Sequence, residues 1–302
     1  MPDVAIMIEG QDGLDWERWQ HLVPTVEDLG FDGLFRSDHF TNPDGPREDS
    51  LELWTSLTWL ADHTDRIEFG PLVTPVSFRH PVFTARMGKE VDDLSDGRLV
   101  LGVGAGWQVR EHETFGFDLL SVSERFDRFE EGIRVVDRLL RSDDPVSFDG
   151  EYYELSDALL LPRPQRSGGP PLLVGGNGTR RTLPLAATFA DEWNGVFLDP
   201  DAFASRTDRL DSLLDDEGRD PSAVRRSLMT QVVFGRDEDE LDRVLDGRDP
   251  DALRDQGFVV GTGADVAAHL DDLAAAGADR VMLQWLDTGD DDRLAALADA
   301  VL

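Results

Sequence analysis

An adjacent acid and histidine, Asp38 and His39, follow the short apolar run at 34–35 after two intervening residues. A histidine donates or accepts a proton near neutral pH, which suits a group beside a redox-active ring. A hydrogen-bonded structural histidine is the alternative interpretation of His39. The role of this pair therefore depends on what the fold places next to it.

Glycines are concentrated in two segments that could contact a flat or phosphorylated ligand. The first is GVGAG at 102–106 and the second is GGNGTRR at 175–181. A chain without Cβ atoms lets a ligand approach closely, and free amides beside Arg180 or Arg181 could hold a phosphate. A tight strand-to-helix turn is the alternative for the second segment. The first segment lacks the G-x-G-x-x-G spacing of a dinucleotide fold, so we interpret it as the open floor of a pocket.

The sequence argues against metal and thiol chemistry. It contains no cysteine, and none of its six histidines lies four residues from another. Glu111 and Glu113 flank His112, but neighbouring side chains on a helix diverge and make a poor metal site. The chain has no long uncharged apolar run and no basic N-terminal segment, so we expect neither a membrane span nor a secretory signal, and a cytoplasmic location.

Apolar strand candidates alternate with amphipathic helices along the chain. The first four strands start near residues 4, 33, 67 and 98, which is the spacing of βα units. The full set of strand candidates is 4–9, 33–37, 67–73, 98–103, 171–175, 192–197, 228–234 and 280–285. Eight such strands predict a single (β/α)8 barrel domain over residues 1–302.

Two segments interrupt this rhythm, one after strand four (105–125) and one before strand five (142–170). Between them we predict a helix that begins with a capping box of Ser121 and Glu124. Within the second we predict a hairpin turning at 149–150. We expect both segments to lie over the carboxyl-terminal mouth of the barrel, where long insertions form pocket walls.

Functional groups of such a barrel lie on the loops that follow the strands. This rule selects a small set of positions: Glu9, Asp38–His39, 74–80, 104–113, 175–181, Asn194 and Gln284–Trp285.

Motifs spread along the chain resemble those of the luciferase-like monooxygenase superfamily. They are SDHF (37–40), TP and FRHP (74–75 and 78–81), GRLVLGVGAGW (97–107) with Glu111 and FG (115–116), PP with LLVGGNG (170–178), AD-x-WN (190–194), and GT (261–262) before a helix ending in AGA (276–278). The resemblance implies a (β/α)8 barrel that binds reduced flavin or the deazaflavin coenzyme F420. It is greatest for F420-dependent oxidoreductases, including haloarchaeal ones.

The resemblance also implies roles for individual residues. His39 becomes a candidate proton donor beside the ring. Some sugar-phosphate dehydrogenases of the group carry an acidic residue where this chain has Trp107, and Glu111, one helical turn onward, is the candidate substitute. A non-proline cis peptide is expected at Pro71–Leu72 or its neighbour. The cofactor contacts are expected to be Asp38, Thr74, Gly104, Gly106, Trp107, Gly175, Gly176, Asn177 and Gly178.

The function that the resemblance implies is hydride transfer between F420 and a small organic substrate. In such an enzyme the cofactor carries the redox chemistry and the protein orients it against the substrate. A reduced-FMN monooxygenase and a flavin-binding protein without catalysis are the alternatives. The resemblance further implies a homodimer. A sugar phosphate would fit poorly with so acidic a chain.

The charge balance bears on the environment of the protein. The chain has 29 basic and 62 acidic residues, a net charge of −33, and Lys89 is its only lysine. This surface would repel a polyphosphate backbone, so no nucleic-acid partner is expected. We interpret the composition as that of a salt-accumulating halophile. A GC-rich genome is the alternative, although it does not explain so many aspartates.

The halophile interpretation predicts that the melting temperature rises substantially between dilute buffer and molar potassium chloride. The Debye length falls to about 3 Å at 1 M salt, which relieves the repulsion between surface carboxylates. Thermal unfolding followed by circular dichroism measures the change. A melting temperature that is flat across this range would assign the composition to genome bias.

Overall fold

The computed structural model describes residues 1–302 and is built around parallel strands. The strands are β1 (Asp3–Ile8), β2 (Gly33–Arg36), β3 (Glu68–Pro71), β4 (Thr74–Pro75), β5 (Leu101–Gly104), β6 (Val146–Asp149), β7 (Glu154–Ala158), β8 (Leu172–Gly175), β9 (Glu192–Val196), β10 (Arg225–Phe234), β11 (Val259–Gly261) and β12 (Arg280–Gln284). All except the β6–β7 hairpin belong to one parallel sheet.

That sheet closes into a barrel. Its strands pair in the order β3-β2-β1-β12-β10-β9-β8-β5-β4. The gap between β3 and β5 is closed where Phe69 pairs with Leu99 and accepts the amide of Val100 at 2.8 Å. Since β3 and β4 are successive halves of one barrel strand, the ring has eight strands. The predicted (β/α)8 barrel is confirmed.

Eleven helices accompany the strands, and most of them cover the outside of the ring. They are α1 (Trp16–Asp28), α2 (Leu53–His63), α3 (Pro81–Leu94), α4 (Val109–Phe115), α5 (Val122–Arg141), α6 (Thr182–Phe189), α7 (Pro200–Asp216), α8 (Glu238–Leu245), α9 (Pro250–Arg254), α10 (Gly263–Ala275) and α11 (Asp291–Val301). Their apolar faces and the barrel side chains each cover one face of the strands, which is why the strands are almost continuously apolar. No helix combines the length and apolarity that crossing a membrane requires.

Aspartates fix the start of five helices. Asp15, Asp199, Asp237, Asp249 and Asp290 cap α1, α7, α8, α9 and α11, and the carboxylate of each accepts a backbone N–H of the first turn. Such a cap satisfies one of the amides that a helix start leaves without a partner. Part of the acidic composition therefore has a structural role.

A bulge between β3 and β4 carries Val73 toward the barrel interior. The Leu72–Val73 peptide is cis, at the neighbour of the position named first from the sequence. A Cβ added at Gly104 would lie 2.6 Å from Val73 Cγ2, and one at Gly102 or Gly175 would lie 3.1 Å from its Cγ1. The side chain of Val73 therefore covers Gly102 and Gly104, where the segment 102–106 was expected to form the open floor of a pocket.

The two insertions lie in different places. Residues 105–125 lie at the mouth as expected, and Arg125 donates to the carbonyl of Gly106 at 3.0 Å. The placement of residues 142–170 over the mouth was wrong. The predicted hairpin forms, but it packs on Glu131 of α5, and Gln165 donates to Asp93 of α3. The 20-residue helix α5 returns the chain to the opposite end of the barrel before the hairpin begins.

The sequence prediction missed a small extension beside strand β10. This strand runs for ten residues, and its last part pairs with β11 outside the ring. Helices α8 and α9 cover the pair with a separate apolar cluster of Val233, Leu241, Leu245, Leu253 and Val260. Because α8 and α9 span only eight and five residues, their periodicity is too short to recognise.

The close approach of β3 and β5 predicts a sharp effect at Gly102. A Cβ there would lie 2.1 Å from the carbonyl oxygen of Pro71, whereas one at Gly289 would meet nothing within 4 Å. We expect Gly102→Ala to lower the free energy of unfolding by about 2–3 kcal/mol, since backbone must move. Gly289→Ala should change it by less than about 0.5 kcal/mol. Urea denaturation of both variants tests this, and equal effects would contradict it.

Candidate active site

A cavity of about 360 Å³ opens where the barrel strands end. Its wall combines apolar side chains, glycines and a few polar groups from almost every strand. The lining residues are Met7, Glu9, Ser37, His39, Leu72, Val73, Pro75, Gly106, Trp107, Glu111, Gly175, Gly176, Asn194, Val196, Phe197, Met229 and Gln284. Convergent polar groups in an apolar pocket at this end of a barrel mark the candidate active site.

His39 and Glu111, the two predicted catalytic residues, meet in this cavity. His39 Nδ1 lies 2.9 Å from Glu111 Oε1, and the backbone N–H of Phe40 donates to Glu111 Oε2 at 3.1 Å. The side chain of His39 is 19% exposed and that of Glu111 only 1%. Because a carboxylate can only accept, the proton of a neutral His39 resides on Nδ1. Nε2 is then the nitrogen available to a ligand, and it has no hydrogen-bond partner within the protein.

The surroundings of His39 favour its charged form. Burial alone would lower the pKa of the imidazole, but the hydrogen bond to Glu111 and the negative charges of Glu111, Glu9 and Asp38 raise it above its usual value. His39 therefore holds its proton at a pH where an ordinary histidine has lost it. This suits a proton donor that acts near neutral pH.

A short helix, α4, carries Glu111 and is fixed from two sides. Gln108 caps it by accepting the amide of Glu111 at 3.2 Å, and donates to the carbonyl of Thr41 at 2.7 Å. His112 is buried and lies 2.6 Å from the Gln108 carbonyl and 2.7 Å from Ser77 Oγ. Glu111 and His112 thus face different partners, and the position of Glu111 does not rest on packing alone.

Asp38 and Thr74, predicted to contact the cofactor, are buried and absent from the cavity wall. Thr74 Oγ1 donates to Asp38 Oδ2 at 2.7 Å, and Arg79 forms an ion pair with the same carboxylate. Arg79 also reaches Glu52 at 2.7 Å. These groups hold the β4–α3 loop against the end of β2. Their contact with a cofactor stays a prediction.

The predicted glycine contacts divide into two sets. Gly106, Trp107, Gly175 and Gly176 line the cavity, and Trp107 stands at its mouth with 60% of its surface exposed. The backbone of Gly176 adopts φ +121°, which favours glycine, and its carbonyl accepts the indole N–H of the buried Trp193 at 2.9 Å.

Gly104, Asn177 and Gly178 lie outside the cavity wall. Gly104 packs on Val73, and Gly178 packs on Thr182. Asn177 uses its side chain on the backbone of Val196, donating at 2.7 Å and accepting at 2.9 Å. These three residues shape the loops behind the cavity, and their contact with a cofactor stays a prediction.

The start of α6 is open to an anion. No side chain caps this helix, and the amides of residues 179–182 donate to no protein acceptor. Arg181 is held by Asp127 at 2.6 Å, whereas Arg180 is exposed and has no acidic partner. Free amides at a helix start attract phosphate.

Several lining residues were not selected as site residues from the sequence. Glu9, Asn194 and Gln284 lie at predicted strand ends, but the sequence assigns them no role, and Met7, Phe197 and Met229 are not among the predicted site residues. Met7 and Met229 lie within strands and point inward by strand alternation, a signal that could have found them. Phe197 depends on a left-handed backbone, φ +50°, and on contact with Phe258, ring centroids 5.2 Å apart, which the sequence does not signal.

Similar proteins of known structure share this barrel throughout. An F420-dependent secondary alcohol dehydrogenase, in complex with an F420–acetone adduct, superposes with TM-score 0.84 at 20% identity, covering 100% of this chain and 99% of that one. The EDTA monooxygenase of Chelativorans sp. BNC1 superposes with TM-score 0.82 at 18% identity, covering 98% and 92%. Likeness at these identities supports the fold alone.

Sequence relatives give the family. The F420-dependent glucose-6-phosphate dehydrogenase of Amycolatopsis mediterranei is 35% identical over 156 residues, 48% of this chain and 46% of that protein. The chain spans about half the length of the first curated relatives it matches. The profile of the luciferase-like monooxygenase family matches residues 5–248, so the chain belongs to that family.

Proposed function

We propose that this protein is an oxidoreductase that transfers a hydride between coenzyme F420 and a small organic substrate. The observation that carries the proposal is the His39–Glu111 pair, which presents a proton-donating imidazole to a cavity at the barrel mouth. Reduction of a carbonyl needs a proton at oxygen as hydride reaches carbon, and this pair is built to provide it. The F420-dependent relatives support the cofactor assignment.

The cavity and its surroundings fit such a cofactor. Leu72, Val73 and Val196 offer apolar surface, and Gly175 and Gly176 allow a flat ring to approach the backbone. The free amides of 179–182, with Arg180 beside them, would hold the phosphate of the cofactor's side chain.

The residues of the chain would act as follows. When bound, the cofactor supplies or accepts the hydride. His39 Nε2 would donate its proton to the carbonyl oxygen, so that hydride and proton together convert the carbonyl to an alcohol; the reverse reaction uses His39 as the base. Glu111 keeps the imidazole oriented and stabilises its charged form. Trp107 at the mouth would restrict water.

A reduced-FMN monooxygenase is the second candidate. The largely apolar wall that would hold a deazaflavin would equally shield a reduced flavin from water. Tighter binding of FMN than of F420, with turnover that depends on oxygen, would favour this candidate. Binding of either cofactor without turnover would favour a protein that has lost catalysis. The homodimer, the cytoplasmic location and the halophilic environment stay predictions.

Replacement of His39 tests the proposed role directly. We expect His39→Ala to lower the single-turnover rate with F420 by about 10²–10⁴-fold, the usual contribution of general acid–base catalysis. The F420 dissociation constant should change little, because the groups expected to hold the cofactor remain. His39→Gln, which can still donate to Glu111 but cannot act as an acid, should be equally slow. An unchanged rate with a lowered melting temperature would leave His39 a structural residue.

The pH dependence of carbonyl reduction tests the role of Glu111. The rate should fall as pH rises through the pKa of His39, which its acidic neighbours raise above the usual value of about 6.5. Glu111→Gln removes the main stabilising charge, so this alkaline limb should move to lower pH. The exposed Glu113→Gln variant is the matched control and should leave the limb in place. If the alkaline limbs of the pH–rate profiles coincide in the wild type, Glu111→Gln and Glu113→Gln, the coupling of Glu111 to His39 would be contradicted.

A further inference from the structure

The cavity has an unusual charge pattern for an enzyme with sugar-phosphate-specific relatives. Two carboxylates, Glu9 and Glu111, line it, and no lysine or arginine does. His39 is the only lining group that can be positive, and Glu111 is its partner. Even with His39 protonated, the wall is negative by one charge.

Glu9 is held as a fixed carboxylate at the end of β1. Its Oε1 accepts from Gln284 Nε2 at 2.6 Å, and its Oε2 accepts from Gln11 Nε2 at 2.9 Å. Gln11 is oriented in turn by Ser37 Oγ, which donates to the side-chain oxygen Oε1 of Gln11 at 2.8 Å. Amide donors on both oxygens satisfy a carboxylate without neutralising it. The charge of Glu9 also helps to raise the pKa of His39 across the cavity.

The nearby arginines donate to other groups and none lines the cavity, and the charge of Arg36 reaches Glu9 only from behind the wall. Arg36 is fully buried and donates to Ser56 Oγ at 2.6 Å and to the Leu51 carbonyl at 2.8 Å. Arg79 is paired with Asp38 and Glu52. Arg125 donates to the carbonyl of Gly106 from behind the wall and does not line the cavity.

We propose that the cavity accepts uncharged carbonyl compounds and the corresponding alcohols, and that Glu9 determines this specificity by repelling anionic substrates. The redox part of this inference rests on the proposed function. Apolar lining residues, among them Trp107, Val196, Phe197 and Met229, provide surface for alkyl substituents. A phosphate or carboxylate on the substrate would meet Glu9 with no lysine or arginine in the cavity wall to pair with, in surroundings where like charges repel more strongly than in water.

Turnover of two ketones of similar size gives the first test. 2-Butanone is neutral and pyruvate is anionic, and the wild-type enzyme with reduced F420 should use butanone with the higher kcat/KM. Glu9→Gln should raise the kcat/KM of pyruvate relative to butanone by about tenfold. Gln284→Lys, which neutralises Glu9 without removing it, should shift the ratio in the same direction. Because each variant is judged by its kcat/KM for pyruvate divided by its kcat/KM for butanone, a loss of activity that affects both ketones equally does not change the result.

Glu217→Gln removes one carboxylate from the exposed end of α7 and is the control for net charge. It should leave the ratio unchanged. A wild-type preference for pyruvate, or equal shifts in Glu9→Gln and Glu217→Gln, would overturn the proposal.

A second measurement needs no turnover. Quenching of Trp107 fluorescence is compared for iodide and the neutral quencher acrylamide in 1 M potassium chloride, with Trp107→Phe supplying the background of the other tryptophans. Salt at about 1 M screens distant surface charges but screens cavity charges much less. Iodide quenching should increase in Glu9→Gln and Gln284→Lys while acrylamide quenching stays constant.

The two measurements separate the two proposals. Increased iodide access without turnover of any ketone would sustain the role of Glu9 and reject the proposed function. Unchanged iodide access in both variants, with ketone turnover intact, would reject the role of Glu9 alone.

Discussion

The contact between β3 and β5 is the constraint on which the rest of the structure depends. A Cβ at Gly70 would lie 1.9 Å from the carbonyl oxygen of Val100, and one at Gly102 would lie 2.1 Å from that of Pro71. Only glycine allows the backbones to approach so closely, and this approach closes the ring. Closure of the ring points Val73 into the cavity wall. It also brings the ends of the first and last strands, β1 and β12, to the same opening.

The His39–Glu111 pair follows from that closure. The two residues are 72 positions apart in sequence, and they meet because the ends of β2 and β5 are fixed at the same rim. Gln108 and His112 then fix the position of Glu111, because their hydrogen bonds to Thr41 and Ser77 hold α4 against the neighbouring loops. The chemistry of the site is therefore a property of the barrel together with one short, well-anchored helix.

Much of this could be predicted from sequence, and the failures have physical reasons. Fully buried strands leave unbroken apolar runs in the sequence, so the barrel and the positions of Glu9, His39 and Glu111 after strand ends could be predicted. The end of the barrel at which residues 142–170 pack could not be predicted, because it depends on where the last residue of α5 lies in three dimensions. The ion pair of Asp38 with Arg79 was not predicted either, because a pairing over 41 residues leaves no local pattern in the sequence. The contact of Phe197 with Phe258 is equally non-local.

The helix caps have a consequence for how this protein can be altered. Asparagine caps a helix about as well as aspartate, so Asp→Asn changes at the five caps would remove five negative charges and retain the hydrogen bonds. The attraction of each carboxylate to the helix dipole would be lost, about 0.3–1 kcal/mol per site, and at Asp290 the ion pair with Arg293 at 3.5 Å as well. Surface acidity and the helical framework are thus separable: the net negative charge can be lowered at these five positions while the hydrogen bonds that start the helices are kept.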